Sequence, residues 1–154
     1  MTKLLDLLEP TAVKLGLEAG DAREVVSILG NELFNAGYVR QSFVEAALQR
    51  ESELPTGLPL AGDFNAAIPH TDVEHVLKPG LALATLVNPV IFHNMVSPEE
   101  EVPVHLVFLM ALDEPKAQVE MLQEIAGVLQ DEDVINKLMV SKKFKEIQAA
   151  LSVT

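Results

Sequence analysis

Apolar side chains recur at helical spacing in the first third of the chain. Asp21 and Glu24 form a D-x-x-E start, in which the first carboxylate caps the free N–H groups of a helix N-terminus. Val25 and Leu29 then fall on one face of a helix, and Gly37 stands where such a helix ends, because glycine readily takes the left-handed conformation of a C-terminal cap. The pattern predicts a helix between Asp21 and Gly37.

A second helix is predicted directly after the first. Ser42 and Glu45 form an S-x-x-E capping box, which predicts a helix from Phe43 to about Arg50, stopping before Pro55. The prolines and glycines between residues 52 and 62 then break regular structure.

Three runs in the middle of the chain have the composition of strands. Leu81 to Val87 and Val104 to Met110 are continuous apolar runs rich in branched side chains, as is typical of strands covered on both faces of a sheet. Ala66 to Ile68 is a shorter strand that follows the breakers. A sheet with such strands needs helices on both of its sides.

Two further helices are predicted after the strands. Pro115 suits the first position of a third helix, because its missing N–H would have no partner there, and Ser141 opens a last helix. The apolar positions of these two helices are Val119, Leu122, Ala126, Leu129, Phe144, Ile147 and Leu151. With helices before and after the strands, the sequence predicts one α/β domain over residues 1–154, a sandwich in which a mixed sheet carries helices on both faces.

Charge and composition narrow the function. The chain has 23 acidic and 11 basic residues, a net charge of -12, which argues against binding DNA or RNA, because phosphate contacts draw on Lys and Arg. It has no cysteine, which excludes disulfides, a cysteine nucleophile and thiolate metal sites. We find no secretory signal and no apolar run long enough to cross a bilayer, so we expect a cytoplasmic protein.

One segment gathers residues suited to covalent chemistry. It contains three short motifs: Arg50-Glu51, Pro55-Thr56-Gly57-Leu58 and Ala67-Ile68-Pro69-His70-Thr71. A neutral imidazole is a nucleophile near physiological pH, and its attack on a phosphoryl group gives a phosphoramidate that transfers onward readily. His70 is the candidate nucleophile, because Pro69 restricts the backbone directly before the ring.

Groups that can neutralise a phosphoryl charge accompany this histidine. The guanidinium of Arg50 can hold two phosphoryl oxygens at once, and the hydroxyls of Thr56 and Thr71 are further donors. Phosphoryl transfer depends mostly on positioning and charge neutralisation, so a histidine and an arginine suffice without a metal ion or another cofactor.

In these motifs the chain resembles the fructose and mannitol type of enzyme IIA of bacterial phosphotransferase systems. The Arg-Glu pair, the P-T-G-L turn and the A-I-P-H segment occur there in this order and at about this spacing, ahead of a hydrophobic strand that resembles Val104 to Met110. The resemblance covers nearly the whole chain. It implies a fold of the phosphotransferase/anion transport type.

The resemblance also implies a reaction and two partners. His70 would be a phosphohistidine, filled by the phosphorylated histidine carrier protein and emptied onto a cysteine of an enzyme IIB, with Arg50 beside the phosphoryl group. Glu51 follows the arginine in the motif, with no role assigned to it. Because the chain has no cysteine, it cannot include that IIB, and we expect a free-standing IIA.

Two positions depart from the family pattern. The residue after the active histidine is usually very small, whereas here it is Thr71, and mannitol-type members place a second histidine where this chain has Lys116. The free-standing length and the stretch Asn88-Pro89-Val90-Ile91-Phe92 resemble the galactitol branch. Galactitol uptake is therefore the expected pathway, and mannitol is in doubt.

Three alternatives remain open at this point. His70, Asp72 and His75 read as H-x-D-x-x-H and could hold a metal ion in a small hydrolase. A regulatory relative would keep the fold and the phosphorylated histidine but act by binding another protein. His105, inside an apolar run, is either a buried neutral histidine or a site residue at a strand end close to His70.

Overall fold

The computed structural model of the chain describes residues 3–152. In chain order the elements are α1 (Lys3–Leu7), β1 (Leu8–Leu17), α2 (Ala22–Asn35), α3 (Phe43–Glu53), β2 (Gly57–Leu58), β3 (Ala66–Ala67), a 3-10 turn (Val73–His75), β4 (Gly80–His93), β5 (Glu101–Ala111), α4 (Pro115–Leu129), α5 (Glu132–Val140) and α6 (Phe144–Leu151). No helix within these residues is long and apolar enough to cross a membrane.

The five strands form one mixed sheet in the order β1-β4-β5-β3-β2. β1 is parallel to β4 and β3 is parallel to β5, whereas the β4–β5 and β2–β3 pairs are antiparallel. Successive side chains of a strand point to opposite faces of the sheet. Accordingly, Val107 and Leu109 of β5 join a core with α2 and α3, while Leu106 and Phe108 join a second core with α4, α5 and α6. The predicted α/β sandwich with helices on both faces is confirmed.

The first predicted helix forms as its sequence indicates. Asp21 caps α2 by accepting the backbone N–H of Glu24 at 2.9 Å. Gly37 has φ of +88°, the left-handed conformation expected just after a helix.

The capping box predicted for the second helix is wrong at Ser42. Its side chain makes no capping bond, because the hydroxyl lies 2.8 Å from the ring Nδ1 of His75 instead. The helix itself starts at Phe43 as predicted but extends to Glu53, three residues beyond Arg50.

The C-terminal predictions are partly wrong. In α4 the residue Val119 is 55% exposed, and the buried positions are Met121, Ile125, Val128 and Leu129. The helix α5 was not predicted, and Ser141 follows it as a C-terminal cap, so the last helix begins only at Phe144. The elements α1 and β1 were also not predicted.

The end of the β4–β5 hairpin lies across the outer strand β2. Gly57 pairs with Ala67 on one side and with Asn94 on the other, and its carbonyl accepts the N–H of Met95 at 2.9 Å. A Cβ at residue 57 would come within 2.6 Å of the carbonyl oxygen of His93, so only glycine fits there. These contacts hold Gly57 against β3. The candidate nucleophile His70 follows β3 in the chain.

Candidate functional site

His70 lies in the loop after β3, with its ring held in one orientation. The carbonyl of Pro69 accepts the N–H of Met110 at 3.1 Å, which ties this loop to the C-terminal part of β5. The ring Nδ1 is 2.9 Å from the carbonyl oxygen of Ile68, and the residue is 7% exposed. Because a carbonyl can only accept, Nδ1 carries the proton of the neutral ring and Nε2 keeps a free lone pair.

The surroundings of His70 keep its ring neutral. Burial lowers the pKa of His70, the bond to the Ile68 carbonyl raises it, and the charge of Arg50 lowers it while that of Asp72 raises it. The net direction is downward from the usual value of 6.5. At neutral pH the ring is therefore in the form that can act as a nucleophile.

Arg50, in the last turns of α3, combines a partly exposed ion pair with a buried guanidinium nitrogen. Its Nη1 lies 3.2 Å from Oδ1 of Asp72 in a partly exposed ion pair. Its Nε is buried and makes no hydrogen bond within the described residues. A buried unpaired donor is uncommon and suits a site that binds an oxygen-rich group.

Glu51 and Thr56 form a hydrogen-bonded pair next to Ile68. The carboxylate of Glu51 accepts the Thr56 hydroxyl at 2.7 Å and the Thr56 backbone N–H at 2.8 Å. Burial raises the pKa of Glu51 to about 7, although the two bonds to Thr56 and the charge of His93 lower it. The N–H of Ile68 points to Thr56, at 3.2 Å from its hydroxyl and 3.3 Å from its carbonyl.

Two other predicted site residues have different positions. Thr71 is buried, 5% exposed, and directly follows His70. His105 is not close to His70, because its backbone N–H bonds Asn65 ahead of β3, whereas His70 follows β3 at the level of Met110. Five residues along β5 correspond to roughly 17 Å. The alternative in which His105 lies close to His70 does not agree with this register, because the two residues lie at opposite ends of β3.

The H-x-D-x-x-H residues make separate contacts. His75 bonds Ser42, and Asp72 pairs with Arg50. Within residues 3–152 no group of three His, Asp or Glu side chains is arranged to hold a metal ion.

Sequence reasoning missed two contributions at this site. The carbonyl of Ile68, which binds the ring, left no signal, because any residue supplies a carbonyl. Asp72 was considered only as a metal ligand, although its spacing two residues after His70 also suits a carboxylate that pairs with Arg50.

The sequence of the chain is similar to the sequences of known proteins. Residues 6–153 match the family described as phosphoenolpyruvate-dependent sugar phosphotransferase system, EIIA 2. The galactitol-specific EIIA component of Escherichia coli (strain K12) is 31% identical over 127 residues, which is 82% of this chain and 83% of that protein. The fructose-specific EIIABC component of Bacillus subtilis (strain 168) is 29% identical over 141 residues, which is 89% of this chain but 21% of that longer protein.

Solved structures have the same fold. The complex of enzyme IIAMTL and phosphorylated enzyme IIBMTL from Escherichia coli matches with a TM-score of 0.78 and 28% identity, covering 96% of this chain and 98% of the matched chain. Nitrogen regulatory protein IIA-Ntr from Neisseria meningitidis matches with a TM-score of 0.74 and 21% identity, covering 97% and 99%, and so shares the fold alone. The chain therefore belongs to the EIIA 2 family of the phosphoenolpyruvate-dependent sugar phosphotransferase system.

Proposed function

We propose that the chain carries a phosphoryl group on Nε2 of His70, taking it from the phosphorylated histidine carrier protein and passing it to a cysteine of an enzyme IIB. The observation that supports this assignment is the 2.9 Å contact between Nδ1 of His70 and the carbonyl of Ile68. It gives Nδ1 the proton and leaves Nε2 as the nucleophile.

Each transfer exchanges one bond to phosphorus for another. The lone pair of His70 Nε2 forms an N–P bond, while the N–P bond of the donor phosphohistidine breaks and returns its electron pair to the donor ring. In the phosphorylated ring, Nδ1 keeps its proton and donates it in the hydrogen bond to the Ile68 carbonyl. The ring is therefore cationic. When the IIB thiolate attacks phosphorus, the group that leaves is a neutral imidazole.

Arg50 is the proposed charge-neutralising group. The Arg50 charge acts on the ring of His70, and its Nη1 is held at 3.2 Å from Asp72 in a partly exposed ion pair, which supports a role for the guanidinium at the phosphoryl group. A guanidinium binds two oxygens in one plane, which suits the three equatorial oxygens of the transferring group. The hydroxyl of Thr71, next in the chain, is a further candidate donor.

The proposed role requires that the donor and acceptor proteins can reach the ring of His70. His70 is only 7% exposed, and the donor and acceptor must each reach Nε2 directly. We expect the small exposed part of the residue to include this atom. Reaction of the folded protein with diethylpyrocarbonate, followed by peptide mapping, would test this, and an inert His70 in the folded chain would count against the carrier role.

We expect the chain to serve galactitol uptake and to act in the cytoplasm. The support is the 31% identity to a galactitol-specific EIIA component and the presence of Lys116 where mannitol-type members have a second histidine. A partner IIB is supported by the solved complex in which a relative is bound to a phosphorylated IIB.

The carrier role is tested by reconstitution. The chain is incubated with enzyme I, histidine carrier protein and labelled phosphoenolpyruvate, and the product should be an acid-labile, base-stable phosphoprotein. Purified IIB proteins are then added, and rapid loss of label to a galactitol-type IIB, but not to a mannitol-type IIB, is the expected result. A label that no IIB accepts would favour the regulatory alternative, and no labelling at all would contradict both.

A further inference from the structure

A chain of hydrogen bonds connects Glu51 to the ring of His70. The Glu51 carboxylate accepts both the hydroxyl and the N–H of Thr56, at 2.7 and 2.8 Å. The N–H of Ile68 is shared between the hydroxyl oxygen of Thr56, at 3.2 Å, and the Thr56 carbonyl oxygen, at 3.3 Å. The carbonyl of Ile68 accepts from Nδ1 of His70 at 2.9 Å.

Few hydrogen bonds hold the backbone around the carbonyl of Ile68, whose side chain is buried in the core. Its peptide group continues into Pro69, which has no N–H to bind a neighbouring strand, and β3 has already ended at Ala67. The nearest anchors are the Ile68 N–H on Thr56 and the Pro69 carbonyl on Met110. The N–H and the carbonyl of Ile68 belong to adjacent peptide groups, so a change at Thr56 reaches the carbonyl through the backbone torsions of Ile68.

The carboxylate of Glu51 determines how the Thr56 hydroxyl is oriented. A hydroxyl rotates freely unless a partner takes its proton, and here the ionised carboxylate can only accept. With its proton directed to Glu51, the Thr56 oxygen presents a lone pair to Ile68. Burial raises the pKa of Glu51 to about 7, so the fold keeps this carboxyl in a place that disfavours its charge.

Resting on the carrier role proposed for His70, we infer that Glu51 is a positioning residue: through Thr56 and Ile68 it fixes the ring orientation and the Nδ1–H tautomer of His70. Glu51 touches neither the phosphoryl group nor a partner in this scheme. Its effect is to keep the lone pair of Nε2 available and correctly directed.

The surroundings of Glu51 make this effect pH-dependent. Glu51 lines a groove of about 170 Å³ with Arg23 of α2 and His93 of β4, the charged or titratable groups that face it there from these two elements. Protonation of the carboxyl, at a pKa of about 7, would free the Thr56 hydroxyl to turn. The transfer rate should thus decline below about pH 7, above the pH at which the ring of His70 itself becomes charged.

The first measurement is the single-turnover rate of transfer from labelled histidine carrier protein. Glu51→Gln and Thr56→Val should each lower the rate at saturating donor by about tenfold, with the KM for the donor unchanged. The double variant should be no slower than the slower single variant, because both act through one chain of bonds. Thr56→Ser, which keeps the hydroxyl, should stay near wild type.

The matched control is Glu53→Gln. Glu53 is an exposed carboxylate at the end of the same helix, two residues from Glu51, and its substitution should leave both the rate and its pH profile unchanged. In Glu51→Gln the decline near pH 7 should disappear, leaving only the titration of His70.

The second measurement does not need any activity. Long-range nitrogen–proton NMR spectra of the unphosphorylated protein report the tautomer of each histidine. His70 should be the Nδ1–H form in wild type, Thr56→Ser and Glu53→Gln, and a mixture of tautomers in Glu51→Gln and Thr56→Val.

The two measurements separate the possible failures. If wild type is labelled on His70 while Glu51→Gln and Thr56→Val keep both rate and tautomer, the positioning role is wrong. If wild type is never labelled but the tautomer shifts in these variants, the carrier role is wrong and the positioning role stands. Should Glu51→Gln not fold, the pair Thr56→Val and Thr56→Ser decides, since equal tautomers in that pair would overturn the inference.

Discussion

His70 and His105 lie at opposite ends of the β3–β5 pair, and the two rings differ in what surrounds them. Burial lowers the pKa of both. The Nδ1 of His70 is bound to a backbone carbonyl, and Arg50 acts on its charge. The buried Nδ1 of His105 makes no hydrogen bond within the described residues, and its ring packs edge-on against Phe64 with centroids 5.2 Å apart.

This difference shows which features distinguish a carrier histidine from a packed one. A lowered pKa makes a ring neutral, and both histidines have it. A fixed tautomer and a nearby guanidinium are found only at His70 of the two. Substitutions at the two ends of the strand pair can show whether those two features account for the proposed activity.

The largest effect is expected from replacing each of the two histidines in turn. His70→Gln should abolish labelling by phosphorylated histidine carrier protein, because the nucleophile is lost, whereas His105→Gln should label at the wild-type rate. Gel autoradiography with the reconstituted donor system measures this. Label retained on the His70 variant, or lost from the His105 variant, would contradict the assignment of His70 as the carrier and of His105 as a packed residue.

The next effect concerns stability as a function of pH at the His70 end. The pKa of Glu51 is raised from 4.5 to about 7, so its contribution to stability is complete below about pH 4.5 and is lost as the pH rises through 7. This shift corresponds to roughly 3 kcal/mol. Wild type should therefore lose up to that amount relative to Glu51→Gln between about pH 5 and pH 8.

Urea unfolding at the two pH values gives this difference. Glu53→Gln provides the baseline, because its carboxylate is exposed. A constant gap between wild type and Glu51→Gln across the range would show that this carboxyl does not titrate abnormally.

A smaller effect is expected from changing only the shape of the cation. Arg50→Lys should slow phosphoryl transfer by about tenfold while leaving unfolding unchanged, because an ammonium cannot make the planar two-point contact. Arg40→Lys is the matched control, since Arg40 is an exposed arginine whose Nε bonds the carbonyl of Glu74. Equal transfer rates for both variants would make Arg50 a structural residue.

The smallest effect is expected at the other end of the strand pair. Phe64→Leu removes the ring contact with His105 and should lower the free energy of unfolding by about 1 kcal/mol. Transfer to His70 should be unaffected. A slower transfer in this variant would connect the two ends of β5 in a way that the bonding pattern does not suggest.

The sequence predicted elements whose signals are local. Asp21 caps α2 through a backbone N–H three residues away, and Gly37 has the conformation that its position indicated. Ser42 failed because a partner distant in sequence, His75, takes its hydroxyl. Local pattern cannot reveal which of two possible partners a side chain will choose.

Other misses have different causes. β1 contains Pro10 and Gly16, which interrupt a strand pattern. Its pairing with β4 therefore depends on contacts with distant residues and not on a local sequence signal. In contrast, α5 could have been predicted, because Asp131 caps it and Val134 and Leu138 have helical spacing. The missed helix made Ser141 seem to be a helix start.

At the candidate site, sequence indicated the residue types but not their connections. His70, Arg50 and Thr56 were recognisable from chemistry and from the family motif. The role of Glu51 depends on two bonds across a turn and on burial, and neither can be read from an Arg-Glu pair. The separation of His105 from His70 depends on the register of β3 with β5.

The contact at Gly57 also covers the outer edge of the sheet. β2 ends the strand order, and an outer strand with free backbone groups can recruit another chain. Here Asn94 and Met95 occupy those groups, and this covering requires that residue 57 have no side chain. A substitution as small as Gly57→Ala would therefore disturb this covering and leave backbone groups of β2 open, because the added Cβ would lie 2.6 Å from the carbonyl oxygen of His93.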